Sequence, residues 1–532
     1  KSVALPLRHT GTLGAFARSL LRIKELRTGR NRPAQRYANT QNPAAIWRQT
    51  HSFQPVHPQS QNPSSERIVF ITMKKIKLFV LTKGFAMLTT KEAAELLDIT
   101  PRRVQELIKN GTLEARKASG VWLIDKDSVD TRLRSVTKTG GRPRRGHGKS
   151  EIQFALMNRT YEVAQLVYST SRKDFTHIGA DIDYAHAPIG VFGPNSPVSL
   201  DSFRIWWRGR GIPLARIGLS SLLAEAAVDV PDELVQRNLG LSLSDQYWIR
   251  PQDSGLAWED INFFNNAYDD VSLTIAPFAP EGKAATAKPD NTSDGNLQKY
   301  WTCEGGRRIL HKAGAHLNQE PYNELVATEL HRRILNACDF VPYSLEGAGT
   351  SALSTCDVFL TDEEEYVPAF YVNQHANADG RLTDYERYVT NCEELGATDV
   401  KDALDRMIVC DDILANYDRH WRNFGLVRNV NTLACRPAPI FDSGSSLWCN
   451  ISLEELRAGE HSFTSAQFHS SPAKQMLLVE DMSWFDGDKL EGFVDEAIEI
   501  LSKNDALTAR LPYLKEALTW RLERMIDIAE WS

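Results

Sequence analysis

Methionine and cysteine are scarce in this chain of 532 residues, seven of each, and acids are almost missing from its front. The chain starts at Lys1 and has no methionine before Met73, and residues 1–72 hold only Glu25 and Glu66 as acids. An Arg-rich, acid-poor segment suits an organelle transit peptide. The missing initiator suits translated upstream sequence or a fragment boundary better. Residues 1–86 are therefore expected to be a disordered or non-native extension, with Met73 or Met87 as the natural start. The cysteines are odd in number and widely spaced, with no C-x-x-C. That excludes a disulfide framework and a zinc ribbon, and suits reduced thiols in a bacterial cytoplasm. No apolar run approaches the roughly 20 residues that a membrane-spanning helix needs, and no membrane partner is expected.

Charge is divided unevenly. Residues 1–150 carry 29 of the 62 Lys and Arg but 10 of the 68 Asp and Glu, leaving 33 against 58 in the remainder. A net charge of −6 thus hides a basic front and an acidic body. The front is an electrostatic footprint for polyanions; the body avoids nucleic acid by itself.

Two stretches carry chemistry. Asn416 to Asn423 reads D-x-x-x-x-N from Asp418, and Pro439 to Gly444 reads D-x-G from Asp442. Phosphoryl transfer from ATP needs a carboxylate to orient the attacking hydroxyl, then an amide oxygen and a second carboxylate for Mg²⁺. Asp418, Asn423 and Asp442 fit those roles in chain order. The bland alternative is a polar loop and a turn that share the spacing. Upstream, Arg308 to Lys312 reads as a short strand ending in Lys312. Gln319 to Glu324 opens a helix, with Pro321 suited to its first turn. Lys312 would bind the phosphates, with Glu324 holding it in place. Asp290 to Trp301 is a small polar loop before an aromatic strand. It suits a lid over phosphates formed by Thr292, Ser293 and Gly295, although it also reads as a plain hairpin turn. This loop lacks both G-x-G-x-x-G and a G-K-[ST] ending.

From about Ile152 onward these motifs resemble the HipA-like serine/threonine kinases, in a longer bacterial branch. The matching pieces are Thr292-Ser293-Asp294-Gly295, Gln319 to Glu324, Asp418-Arg419-His420 with Asn423-Phe424-Gly425, and Pro439 to Trp448. The resemblance implies an α+β, two-lobed fold like those of HipA and the phosphatidylinositol kinases, and ATP–Mg²⁺ chemistry. It also implies autophosphorylation at Ser293. Arg422 stands where a lysine is common, which keeps the charge but changes its geometry. His420 is expected to brace Asp418. The D-R-H spelling also resembles the catalytic loop of phosphatidylinositol kinases, so a lipid substrate stays an alternative. The family's toxins suggest an antitoxin partner without requiring one.

A second module precedes the kinase. Leu88 to Leu97 and Pro101 to Gly111 read as two short helices, the second capped by Thr100 and opened by Arg102 and Arg103. Leu113 to Ile124 reads as a hairpin wing holding Arg116 and Lys117, and Asp125 to Val129 as the start of a third helix. The block resembles excisionase or MerR-type winged helix-turn-helix modules, which place the second helix in the major groove. A helical pair that docks protein is the alternative. Lys138 to Lys149 is a basic Gly/Arg/Pro linker. Its Gly141-Arg142-Pro143-Arg144 resembles an AT-hook core, although a flexible linker is the plainer reading.

The expected organisation is a helix-turn-helix over 87–136, a linker over 137–150, a kinase N-lobe with an accessory region over 151–370, and a helical C-lobe over 371–532. The expected function is an ATP- and Mg²⁺-dependent protein serine/threonine kinase, in a toxin–antitoxin setting. It would act on a protein Ser/Thr hydroxyl and bind duplex DNA through residues 87–149. A DNA-binding regulator with an inactive or nucleotide-sensing kinase domain is the competing class.

Overall fold

The computed structural model describes most of residues 87–129. It also describes residues 151–531 apart from stretches within 194–197, 218–230, 269–284, 293–294 and 376–380, and residue 460. Residues 1–86, the linker with its Arg-Pro segment, and Ser293 lie outside the described residues. The chain divides into two compact units, one containing residues 87–129 and the other residues 151–531.

In the smaller unit, β1 (Met87–Thr89) leads into α1 (Thr90–Leu97) and α2 (Pro101–Lys109), followed by β2 (Ala115–Ala118) and β3 (Val121–Asp125). The strands form an antiparallel sheet with β3 in the middle. Ala93, Ala94, Val104, Leu107, Leu113 and Ile124 close its core. Thr100 caps α2 by accepting the Arg103 N–H at 3.3 Å, and Pro101 takes the first turn. One local expectation changes. Leu88 and Thr89 belong to a strand paired with Ile124 and Leu123, not to the first helix. There strand pairing with β3 overrides local helix propensity. Within the expected start of a third helix, Asp125 ends β3 and helical residues begin at Ser128 and Val129.

The larger unit begins with a four-stranded antiparallel sheet of β4 (Glu151–Asn158), β5 (Tyr161–Ser169), β6 (Asp174–Ile178) and β7 (Tyr247–Pro251), ordered β6-β5-β4-β7. Strand β6 pairs with β5 from Asp174 opposite Ser169. Helices α3 (Leu200–Arg208) and α4 (Pro231–Arg237) accompany this sheet. Phe175 meets Phe154, Tyr168, Phe203 and Trp207 edge-on. Trp206, Trp207, Trp248 and Trp258 are all buried.

Next come α5 (Trp258–Ile261) and a two-residue ladder of β8 (Ser272–Leu273) and β9 (Ala285–Thr286). A second antiparallel sheet follows, made of β10 (Lys299–Glu304), β11 (Arg307–Lys312), β12 (Ser344–Glu346) and β13 (Leu353–Asp357), ordered β10-β11-β13-β12. Helix α6 (Glu320–Ile334) runs between β11 and β12. Beyond it, β14 (Glu364–Pro368) and α7 (Ala369–Val372) lead to α8 (Asp384–Glu394) and α9 (Val400–Leu414). Strands β15 (Gly425–Asn429) and β16 (Cys435–Pro437) complete a third sheet, ordered β14-β15-β16. Helices α10 (Leu453–Arg457), α11 (Pro472–Met476), α12 (Phe493–Ser502) and α13 (Leu511–Glu530) finish the chain.

The first sheet is fastened to the third. Asn158 donates to the Glu365 carboxylate at 2.9 Å, and Arg428 donates to it from the other side at 2.7 Å. Arg428 also donates to the Ala187 carbonyl and the Tyr247 hydroxyl. A buried Arg–Glu pair holds only when its remaining donors and acceptors are satisfied, and here the accessory sheet satisfies them.

Candidate active site

Strand β11 ends in Lys312, which is nearly inaccessible to solvent. Its ammonium donates to Glu324 Oε1 at 2.7 Å and to Asp442 Oδ1 at 2.6 Å, over the Tyr343 ring. Burial alone would lower the lysine's pKa. The Asp442 and Glu324 carboxylates overcome that and hold it well above its ordinary value. Burial pushes the Glu324 carboxyl up. Burial would also raise Asp442, but Lys312 and Lys299 more than offset it and hold Asp442 low. Lysine and aspartate are therefore both charged at neutral pH.

Glu324 sits where it does because Pro321 starts α6 one turn earlier. Its second oxygen accepts the Ser443 N–H at 2.9 Å. Asn323 donates to the Gly444 and Ser446 carbonyls, both at 2.8 Å. Gln319 donates to the Leu447 carbonyl at 3.0 Å. The first two turns of α6 thus fix the loop that carries Asp442, whose backbone is left-handed at φ 57. Aspartate tolerates that region better than most residues. At Gly444 a Cβ would lie 3.1 Å from both the Glu320 carbonyl and the Glu324 carboxylate, a tight approach at which these neighbours would have to shift by a few tenths of an ångström.

The loop that carries Asp418 follows α9. Asp418 lines the same cavity of about 590 Å³ as Lys312 and Asp442. Its N–H donates to Asn416 Oδ1 at 3.0 Å. Burial raises its carboxyl, Asp442 adds to this, and His420, Arg419 and Lys312 pull the other way. Asn423 donates its amide N–H to the Asp418 carbonyl at 3.0 Å, which leaves Oδ1 as the end that can face a cation. His420 Nδ1 accepts the Arg422 N–H at 3.2 Å, so this ring braces the loop's backbone. Arg422 lies over the Phe370 and Tyr371 rings.

Sequence reasoning gave Arg419 no role. It has no exposed surface, and it donates to both Asp411 oxygens, at 3.0 and 3.1 Å. It also donates to the Asn423 and Phe441 carbonyls and to Ser443 Oγ. One guanidinium thereby joins the Asp418 loop to the Asp442 loop. The signal was its place between Asp418 and His420, but its partners lie far along the chain.

The remaining assigned residues are placed unevenly. Thr292 is buried, and its hydroxyl donates to the Leu241 carbonyl at 2.7 Å, so only its backbone is left to face a nucleotide. Gly295 has φ 98 and borders the cavity. In the smaller unit, Arg102 and Arg103 are exposed at the start of α2, with Arg103 paired to Glu106 at 2.6 Å. Lys117 lies over the Trp122 ring, and Arg116 lies on the same strand, β2.

With this geometry in hand, known proteins can be compared. The helix-turn-helix domain family matches residues 87–136. The serine/threonine-protein kinase CtkA of Helicobacter pylori strain J99 is 25% identical over 186 residues, which are 35% of this chain and 49% of that protein. The chain therefore spans about half the length of this curated relative. A crystal structure of a Helicobacter pylori proinflammatory kinase CtkA superposes with a TM-score of 0.33 at 18% identity, over 44% of this chain and 94% of that one. About a third of this chain is distantly related to a protein kinase, and residues 87–136 are a separate helix-turn-helix match. Among the described residues no helix is long and apolar enough to cross a membrane.

Proposed function

We propose that residues 151–531 are an ATP- and Mg²⁺-dependent protein serine/threonine kinase of HipA type. The observation that carries this reading is Lys312, held by Glu324 and Asp442 beside the cavity that Asp418 and Asn423 share. A solvated surface lysine would not be buried between two carboxylates that approach from a helix and a distant loop. The donor set suits the nucleotide: Asp442 and the Asn423 amide oxygen would hold Mg²⁺, which neutralises phosphate charge. Lys312 binds phosphate oxygens. Asp418 orients the substrate hydroxyl and takes its proton on a carboxylate that burial has made more basic. His420 and Arg419 keep that loop in shape, and Arg422 supplies a fixed positive charge at the cavity wall. We include in this reading autophosphorylation of Ser293 and a toxin role with the front module acting on DNA.

Asp418→Asn is nearly isosteric and is expected to keep the fold while losing about 10²–10⁴ in rate. Transfer from labelled ATP to a generic protein acceptor and to the chain itself is the measurement. Parent-like rates in purified Asp418→Asn would remove Asp418 from the mechanism. In the same incubation, a phosphate mass gain should map to the peptide holding Ser293, and an unmodified peptide in an active sample excludes that modification.

A further inference from the structure

The accessory region reaches the other side of the nucleotide cavity. Trp206, Arg210, Pro213 and Leu243 line the same cavity as Lys312 and Asp418. The segment that leads into β10 is also tied to this region by a run of hydrogen bonds. At its root, the fully buried Asn238 donates to the Lys288 carbonyl at 2.6 Å, and its oxygen accepts the Lys288 N–H and the Asn291 amide. Thr292 donates to the Leu241 carbonyl. At its far end, Arg216 Nε donates to the Gly295 carbonyl at 2.9 Å, and the Ile217 N–H donates to the Asn296 carbonyl at 2.9 Å. Arg216 is itself buried.

The second sheet also holds this segment, where Asp290 accepts the Trp301 N–H at 2.7 Å, and the paired residues of β10 begin at Lys299. Residues 288, 291, 292, 295 and 296 are each tied to groups outside the β10–β11 hairpin. A glycine at φ 98 has little conformational preference of its own. Two donors from the accessory region hold this backbone, Arg216 on the Gly295 carbonyl and the Ile217 N–H on the Asn296 carbonyl.

We propose that Arg216 is a positioning residue for the nucleotide. With Ile217 it fixes the Gly295–Asn296 backbone over the phosphate side of the cavity, so the accessory region sets ATP affinity without touching ATP. This rests on the kinase reading above. A charged donor onto a backbone carbonyl is among the stronger hydrogen bonds. Its loss lets the backbone sample other states, and ATP must then select the competent one.

The test uses the full chain. Binding of a fluorescent ATP analogue with Mg²⁺, steady-state KM and kcat for ATP, and hydrogen exchange of the peptide spanning 288–297 are measured for the parent, Arg216→Ala and Arg216→Lys. Arg216→Ala should weaken nucleotide binding and raise KM by about tenfold, equivalent to about 1.4 kcal/mol, with kcat within about twofold. Exchange should speed up in that peptide and not in the β4–β5 hairpin. Arg216→Lys keeps a donor of like charge and should recover part of the affinity. If Arg216→Ala does not fold, Arg216→Gln carries the same test, because it removes the guanidinium donated to Gly295 and keeps a long polar side chain. Parent-like affinity and exchange in the folded variant overturn the proposal. A parent that binds no Mg-ATP overturns the kinase reading itself, and the positioning role falls with it.

Discussion

Burial gives single residues their chemical character here. His331 on α6 is fully enclosed, and burial, aided by the Arg419 charge, lowers its pKa from 6.5 to about 3. Between those two values the unfolded chain binds a proton that the folded chain does not. Stability is therefore complete above pH 6.5 and falls as pH drops through 6.5 toward 3. Asp405, pushed up to about 6 by burial, acts in the opposite sense. The informative quantity is thus the difference between parent and His331→Gln. From about pH 7 to about pH 5.5 the parent should lose about 1 kcal/mol more than the variant in urea titrations. Parallel pH profiles would mean that His331 binds its proton equally well in the folded and unfolded chain.

At the scale of elements, α6 does two jobs. Its apolar residues Val326, Leu330 and Ile334 enter the main core, while Gln319, Asn323 and Glu324 hold the loop after Asp442. The loop passes close to the helix at Gly444, where a side chain would be tight. In Gly444→Ala the methyl group would press on the Glu320 carbonyl and the Glu324 carboxylate. The cost is expected at about 1–3 kcal/mol. Phosphoryl transfer should fall at least about tenfold, because the Ser443 N–H would be drawn away from Glu324. Gly255→Ala, where a Cβ meets nothing within 4 Å, is the matched control and should behave as the parent. Equal activity in both variants would show that the loop tolerates displacement.

For the whole molecule, charge division makes the clearest forecast. The front of the chain is basic through residue 150, and with it the helix-turn-helix module should bind duplex DNA, binding that should weaken steeply with added salt as counterions are released. Arg102→Ala with Arg103→Ala should weaken it, each lost base contact being worth about 1–3 kcal/mol. Phosphoryl transfer in this double variant should match the parent, because the two units are separately compact. Gel-shift titration of the full chain at low and high salt is the check. A double variant that shifts DNA like the parent at every salt concentration leaves the module without a recognition helix in α2.

By itself the sequence determined the order of the site. Lys312, Glu324, Asp418, Asn423 and Asp442 were legible because each lies in a short motif whose spacing reflects local chemistry: a strand end, a first helical turn, a tight loop. The Thr100 cap and Pro101 were legible for the same reason. Tertiary structure alone decided what those residues touch. Arg419 gains its meaning from Asp411, Phe441 and Ser443, and Arg216 from a glycine in a segment far along the chain. Leu88 became strand because β3 offered it a partner. Local propensity is written in neighbouring residues, whereas burial and hydrogen-bond partners depend on segments that meet only when the chain has folded.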